Sequence, residues 1–378
     1  MDFNGTRLRD IRESFVLSRK DLSDLLNVSE QSVWQYETGL TVPSFQILSK
    51  LNNIFGVSIA FFTNKNSIPK VVNSKYIAYR SDLKRSVKNT ERETTFLNVL
   101  DSFITSLIPR VNLPKEDIFE LSKQTIKMKN DGCNFDEIAH FVRKRLNLNL
   151  QNKSLMAMIE RSGVFIVERQ LNNKVDAYSA WTDNNRPYII LGTNKSGPRR
   201  MFDLAHEFGH ILLHHNLEFD ESDSAYVLKL EKEANAFASS LLLDRNFYIE
   251  NFNKIISDPT NPIQYLSLKK YYGVSIAALE MRASNLGLIT PKQSGYFWAR
   301  MTKSGYKKIE PLDDKFDMYV PGKIYAILNY LNKRKLHDLY AETGVNRSFI
   351  EKMIIRKIIN ADNIENDSGN KVIPLYQN

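Results

Sequence analysis

Apolar positions in the first sixty residues recur at intervals of three and four, which predicts a series of short helices. Leu8, Ile11, Arg12 and Phe15 make one stripe, Leu22, Leu25 and Leu26 a second, and Phe45, Leu48, Leu51 and Ile54 a third. Ser18-Arg-Lys-Asp21 reads as a capping box with Asp in place of the usual Glu. Ser29 reads as the cap of a helix running from Glu30 to Glu37, and Gly39 as its stop. Ile59, Phe61 and Phe62 close the core of a five-helix unit. The stretch that follows is rich in Lys and Asn. Phe96, Leu97, Leu100, Phe103, Ile104 and Leu107 keep helical spacing there, with breaks at Pro109 and Pro114. Between Gly163 and Leu191 the pattern turns strand-like in three runs, Val164 to Val167, Ala177 to Trp181 and Pro187 to Leu191. Two apolar helices follow, one through Met201–His215 and one through Leu230–Leu243, the latter with Ala234, Phe237, Ala238 and Leu241 on its stripe. Helix-turn-helix rhythm returns at Leu268–Ile289 and at Leu336–Ile354, and the polar tail after Asn360 is expected to fray.

These patterns predict an α+β chain, mostly α, in four parts. Residues 1–65 form a helix-turn-helix domain, 66–134 a helical spacer, 135–290 a domain with a small β-sheet, and 291–378 a helical region to which the sequence assigns no role, with sensing or partner binding as the candidates. With 42% hydrophobic and 25% charged residues, the 378-residue chain has a globular composition. No run approaches the ~20 apolar residues of a membrane span, and no membrane partner is expected. The amino end has no secretory pattern, and the single cysteine, Cys133, excludes an internal disulfide framework. The expected location is therefore the cytoplasm. A net charge of +9 permits nucleic-acid binding. Residues 1–65 nonetheless balance seven basic against seven acidic residues, so it is pattern and not charge that marks them.

A short helix, a three-residue turn and a second short helix make the helix-turn-helix arrangement. Ser29-Glu-Gln-Ser-Val-Trp-Gln-Tyr-Glu-Thr-Gly39 resembles the recognition helix of phage-repressor-like regulators of the Xre family. The resemblance implies double-stranded DNA as a partner, read by Glu30, Gln31, Ser32 and Gln35, with Arg19 at the start of the preceding helix. Gln can pair with adenine through two hydrogen bonds. Two half-sites would require a homodimer. Val33, Tyr36 and Leu22 belong to the core, and Trp34 to the core or to a backbone contact.

The second candidate chemistry lies in His206-Glu207-Phe-Gly-His210. Four of the six histidines fall between His206 and His215. On a helix, His206 and His210 stand one turn apart and can grip one metal ion, with Glu207 beside them to take a proton from water. A third ligand is needed. Glu233 borders the buried stripe of the following helix and is the candidate, with Glu231 placed on roughly the opposite side. His-Glu-Phe-Gly-His-Ile-Leu-Leu-His followed by Glu-x-Glu-Ala-Asn-x-Phe-Ala resembles the ImmA/IrrE family of zinc metallopeptidases, from about Phe135 to Thr290. The resemblance implies a zincin-like fold and Zn2+ on His206, His210 and Glu233, with Glu207 as catalytic acid/base. It also implies a gluzincin-like endopeptidase that cleaves a repressor or antitoxin-like protein on a stress or mobile-element signal. One departure is Leu-Leu-Leu-Asp244 where the family often has Pro, which touches a helix end only. His2Glu sites also accept manganese or iron.

Several residues have a bland reading first. His214 and His215 are read as exposed or core histidines, with support of the site from behind as the alternative. Arg199 and Arg200 read as a solvated helix start. Tyr178 and Tyr226 are candidates for stabilising an oxyanion, and a sheet edge could hold an extended substrate. Two competing functions remain beside the peptidase. One is a transcription factor whose peptidase-like domain only senses a ligand or partner. The other is self-cleavage between the two domains.

Overall fold

The structure is a computed structural model that describes residues 2–79, 87–114, 116–171, 175–215, 217–218, 223–316 and 319–354. The tail after Asn360 lies outside the described residues. Five helices open the chain: α1 (Gly5–Ser14), α2 (Arg19–Leu26), α3 (Glu30–Thr38), α4 (Phe45–Phe55) and α5 (Ile59–Thr63). The Asp version of the capping box forms, with Ser18 Oγ accepting from Asp21 N at 3.0 Å and Asp21 accepting from Ser18 N at 2.7 Å. Asn27 (φ 55°) and Gly39 (φ 75°) end α2 and α3 in the left-handed region. Leu8, Ile11, Leu22, Leu26, Val33 and Leu51 are buried, and Arg12 is buried in an ion pair with Glu37 of α3. Leu25, placed on the apolar stripe by its spacing, is 52% exposed.

The middle of the chain supplies β1 (Ala78–Tyr79), α6 (Val87–Leu107), α7 (Ile118–Asn130), α8 (Phe135–Arg145), α9 (Leu155–Ser162), β2 (Phe165–Arg169), β3 (Ala177–Trp181) and β4 (Pro187–Gly192). Then come α10 (Gly197–Leu213), α11 (Ser224–Leu242), α12 (Arg245–Ile255), α13 (Leu266–Tyr272), α14 (Ile276–Asn285) and α15 (Pro291–Lys303), and finally α16 (Lys323–Tyr330), α17 (Lys333–Thr343) and α18 (Arg347–Met353). The α+β, mostly α expectation agrees with this order of elements.

The sheet has four strands in the order β1-β3-β4-β2, with β2 parallel to β4 and the other pairs antiparallel. Alternate residues point to opposite faces, and here both faces are covered. Ile166, Ala177, Trp181, Ile189 and Leu191 face a core shared with α10 and α11. Phe165, Val167, Tyr178, Tyr188 and Ile190 face a second core shared with α1–α6 and α16–α18. The sheet is therefore a partition between two cores, and its strands read as continuous apolar runs for that reason.

Residues 66–134 differ from the expected spacer. Their β1 extends the sheet, Phe96, Leu97, Leu100 and Ile104 of α6 are buried in the second core, and Ile118 and Leu121 of α7 in the first. Helical periodicity showed apolar faces but not what covers them. The helix-turn-helix unit likewise shares its core with the back of the sheet and with the carboxyl-terminal helices. Ser58 N donates to Gly344 O at 2.7 Å and Asn346 N to Gly56 O at 3.1 Å. The backbones approach so closely there that a Cβ at Gly56 would lie 2.3 Å from Phe349 N, and one at Gly344 2.3 Å from Phe61 N. Leu268, Tyr272, Val274, Ile276 and Leu279 of the region around α13 and α14 are buried, which makes that rhythm a packing device.

Candidate functional site

Helix α10 is buried along most of its length, wedged between the front of the sheet, α7 and α11. A helix end leaves carbonyls without intrahelical donors. Here Thr125 Oγ1 donates to Leu212 O at 2.8 Å, Ser122 Oγ to Leu212 O at 3.1 Å, and Trp181 Nε1 to Ile211 O at 3.2 Å. Side chains of α7 and β3 thus fix the far end of the His-Glu-x-x-His helix.

Gly209 sets the distance to α11. A Cβ there would meet Phe237 Cδ1 at 3.1 Å and Ala234 Cα at 3.4 Å, so its absence lets α11 lie against α10. The crossing brings Glu231 to the histidines. Its carboxylate oxygens lie 3.2 Å from His206 Nε2 and 3.2 Å from His210 Nε2, and the two Nε2 atoms lie 3.1 Å from each other. His206 Nδ1 donates to Asn235 Oδ1 at 3.0 Å, one turn on from Glu231. His210 Nδ1 lies 2.8 Å from His214 Nδ1, and His214 Nε2 lies 3.1 Å from Glu233 Oε2. Lys129 of α7 donates to the same Glu233 oxygen at 2.6 Å.

The charge balance of the cluster follows from these contacts. Burial lowers the His214 pKa to about 4, and Glu233 is held at about 2, where burial is outweighed by hydrogen bonds from His214 and Lys129. At neutral pH His214 is therefore neutral with a single N–H, and that proton goes to Glu233, which can only accept. His214 Nδ1 is then an acceptor and His210 Nδ1–H the donor. Both Nε2 atoms accordingly present lone pairs toward the Glu231 carboxylate. Two imidazole lone pairs and a carboxylate within 4.8 Å of one another call for positive charge at their centre. The donor set fits a divalent zinc-type ion with a fourth position left for water.

The expected third ligand is corrected by this geometry. Glu233 turns away from the two Nε2 atoms to His214 and Lys129, and Glu231 takes the place assigned to it. The two glutamates flank the same buried stripe on opposite sides. Periodicity locates the stripe, while the crossing of α10 and α11 decides which flank meets the histidines. The spacing Glu231-x-x-x-Asn235, which puts both residues on one face, was the available signal. Glu207, fully buried, accepts from Ser179 Oγ of β3 at 2.7 Å, so the sheet orients it. Ser179 carried no signal in the sequence.

Other candidates resolve differently. Tyr178 lies on the back face of the sheet and donates to Glu93 at 2.6 Å, away from Glu207. Tyr226 packs with Leu230 in a small separate cluster. His215 stacks on Trp181 with ring centroids 4.3 Å apart. Arg200 is buried in an ion pair with Glu168, and Arg199 donates to Lys307 O at 2.7 Å, so neither is a solvated helix start. Asp244, at the position often held by Pro, caps α12 by accepting from Phe247 N at 3.2 Å. The outer edge of β3 is paired with β1 at Tyr178 and Ser179. An open cleft of about 1230 Å³ runs between α8, α11, α12 and α14 and reaches Phe202 and Asn235, beside His206.

On α3, Glu30 and Gln31 are exposed, and Ser32 and Gln35 are half-buried at the same surface. Ser32 Oγ is 2.8 Å from Ser29 Oγ. Arg19 is 39% exposed and its Nε donates to buried Glu37 at 2.7 Å. Trp34 is 37% exposed, which excludes it from the core.

Fold and site together define a helix-turn-helix unit that shares a sheet with a domain carrying buried His206-Glu207-x-x-His210. Comparison with known proteins names both parts. Residues 8–62 match the family model described as helix-turn-helix, and residues 159–284 match the peptidase-family model described as IrrE N-terminal-like domain. The chain thus carries an Xre-like helix-turn-helix segment followed by a segment similar to the IrrE-type peptidase-family domain. A putative HTH-type transcriptional regulatory protein of Methanothermobacter thermautotrophicus is 36% identical over 66 residues, covering 18% of this chain and 21% of that one. An SPbeta prophage-derived uncharacterized HTH-type transcriptional regulator of Bacillus subtilis is 39% identical over 57 residues, covering 15% of this chain and 53% of that one. The chain thus matches about a fifth and about half of these relatives' lengths. No helix among the described residues is long and apolar enough to cross a membrane.

Proposed function

We propose that the chain reads DNA through residues 1–65 and hydrolyses a peptide bond of a protein partner through residues 135–290. The observation that carries this reading is the convergence of His206, His210 and Glu231 beside Glu207. Zinc bound there supplies Lewis-acid polarisation of the scissile carbonyl and acidifies water. His206, held by Asn235, and His210, held by His214, present fixed lone pairs. Glu207, oriented by Ser179, takes the proton from the attacking water and returns it to the leaving amine. The cleft beside His206 holds the substrate chain. The chemistry asks for a flexible peptide segment, and a repressor or antitoxin-like protein fits a peptidase tied to a DNA-reading unit. A homodimer would present two recognition helices to paired half-sites.

The test is metal content together with cleavage. Wild-type protein is expected to hold about one zinc per chain by elemental analysis, and Glu231→Ala to lose it. Glu207→Gln keeps the zinc and loses cleavage of the partner by at least about a hundredfold, the scale of a general acid/base contribution. Cleavage that persists in Glu207→Gln sinks the acid/base assignment. A wild-type protein that takes up no zinc would favour a domain that only senses a partner.

A further inference from the structure

The His-Glu-x-x-His motif and its third ligand leave one buried polar chain unexplained. From His210 it passes through His214 and Glu233 to Lys129, across α10, α11 and α7, with contacts of 2.8, 3.1 and 2.6 Å. His214 is 3% exposed, and Glu233 is 13% exposed at its side chain. A histidine one turn beyond a ligand and an ion-paired glutamate on the next helix have no need to meet for packing alone. A metal on His210 Nε2 requires the His210 proton on Nδ1, which then donates to His214 Nδ1 and leaves His214 Nε2–H for the Glu233 carboxylate, to which Lys129 also donates.

We propose that His214 and Glu233, with Lys129 behind them, are positioning residues that set how tightly His210 holds the metal. The inference rests on the metal reading above and adds to it the residues that govern affinity. With its Nε2 against the acceptor-only Glu233 carboxylate, His214 turns Nδ1 to His210, so His210 keeps its proton on Nδ1 and turns Nε2 to the ion. A carboxylate at the end of the chain draws the His214 proton, makes Nδ1 a better acceptor and raises the basicity of His210 Nε2. Partners of this kind typically change metal affinity by 10–100-fold. Asn235 does the same for His206, but as a neutral amide. The two ligands are therefore supported differently, His210 by a charge-assisted chain and His206 by the Asn235 amide.

The experiment is zinc binding by the full chain, measured by competition with a chromophoric chelator, alongside the unfolding midpoint of each metal-free variant. His214→Ala is expected to raise the zinc Kd by about 10–100-fold and to speed zinc release. Glu233→Ala should come close to that loss, and Glu233→Gln, which still accepts from His214, should recover part of it. Because the residues act in series, the double variant His214→Ala/Glu233→Ala should be little worse than His214→Ala alone. A structural role would lower the metal-free midpoint without this ordering. Should His214→Ala fail to fold, the comparison of Glu233→Gln with Glu233→Ala carries the test. An unchanged Kd in both histidine and glutamate variants, with wild type holding one zinc, overturns the inference and leaves the proposed function standing. If Glu233→Ala abolishes zinc as completely as Glu231→Ala, Glu233 is a ligand and the inference also falls. Absence of zinc in wild type overturns both.

Discussion

Single residues decide where charge sits in this protein. Asp136 of α8 accepts from Arg282 of α14 and lies 3.4 Å from Arg245 of α12, so it ties three helices of the first core. Burial pushes its carboxyl up, and hydrogen bonds from Ser240 and Arg282 outweigh that and hold it below the usual value. A carboxyl depressed in the folded state stabilises the fold above its unfolded pKa of about 4, and the stabilisation is lost as pH falls through the folded pKa. Asp136→Asn should therefore lower stability at pH 7 by about 1 kcal/mol, since the group is partly solvent-screened. It should also flatten the loss of stability below pH 4 in urea unfolding. An acid limb identical to wild type would remove Asp136 from the linkage. At this scale the sequence was legible where a motif fixes spacing. His206, Glu207 and His210 come from one helix, and one helix has one geometry. Glu231 and Ser179 come from other elements, and no local rule ties them to α10.

Elements were legible wherever apolar period and caps agree. Ser18, Ser29 and Ser44 all cap helices by accepting backbone N–H groups, and Gly39 stops α3. Within α3, Val33 and Glu37 face inward while Glu30 and Gln31 face solvent. If that outer face reads bases, Gln31→Ala with Gln35→Ala should weaken specific DNA binding by about 2–6 kcal/mol, at about 1–3 kcal/mol per bidentate pair. Zinc content should not change. A footprint indistinguishable from wild type would rule out the recognition-helix assignment. Arg19 shares its charge with Glu37, so its contribution to a phosphate contact is smaller than that of an unpaired arginine. The β1 strand shows the opposite limit: two residues long, it has no periodic signature and exists through its pairing with β3.

On the scale of the whole molecule, the helix-turn-helix unit and the peptidase-like domain share a sheet. The back of that sheet, α6 and α16–α18 close one core with α1–α5. Phe349 sits at the junction, fully buried, with ring centroids 6.3 Å from Phe15 and 6.4 Å from Phe103. Phe349→Ala should cost about 3–5 kcal/mol and lower a single calorimetric transition. Two separated transitions, with only the first shifted, would contradict a shared core. The back of the sheet touches the helix-turn-helix unit and its front touches α10, so the sheet is the packed element the proposed DNA-reading and metal-binding units have in common.

The sequence by itself determined the helices, their caps, the strand-like runs, the helix-turn-helix pattern and the paired histidines with their glutamate. Each of these depends on neighbours within one or two turns, which the chain carries in order. Only the tertiary structure decided that Glu231 joins the histidines while Glu233 supports His214, because the two flank one stripe and the close crossing at Gly209 chooses between them. It also decided that residues 66–134 are part of both cores, since an apolar face does not say what will cover it.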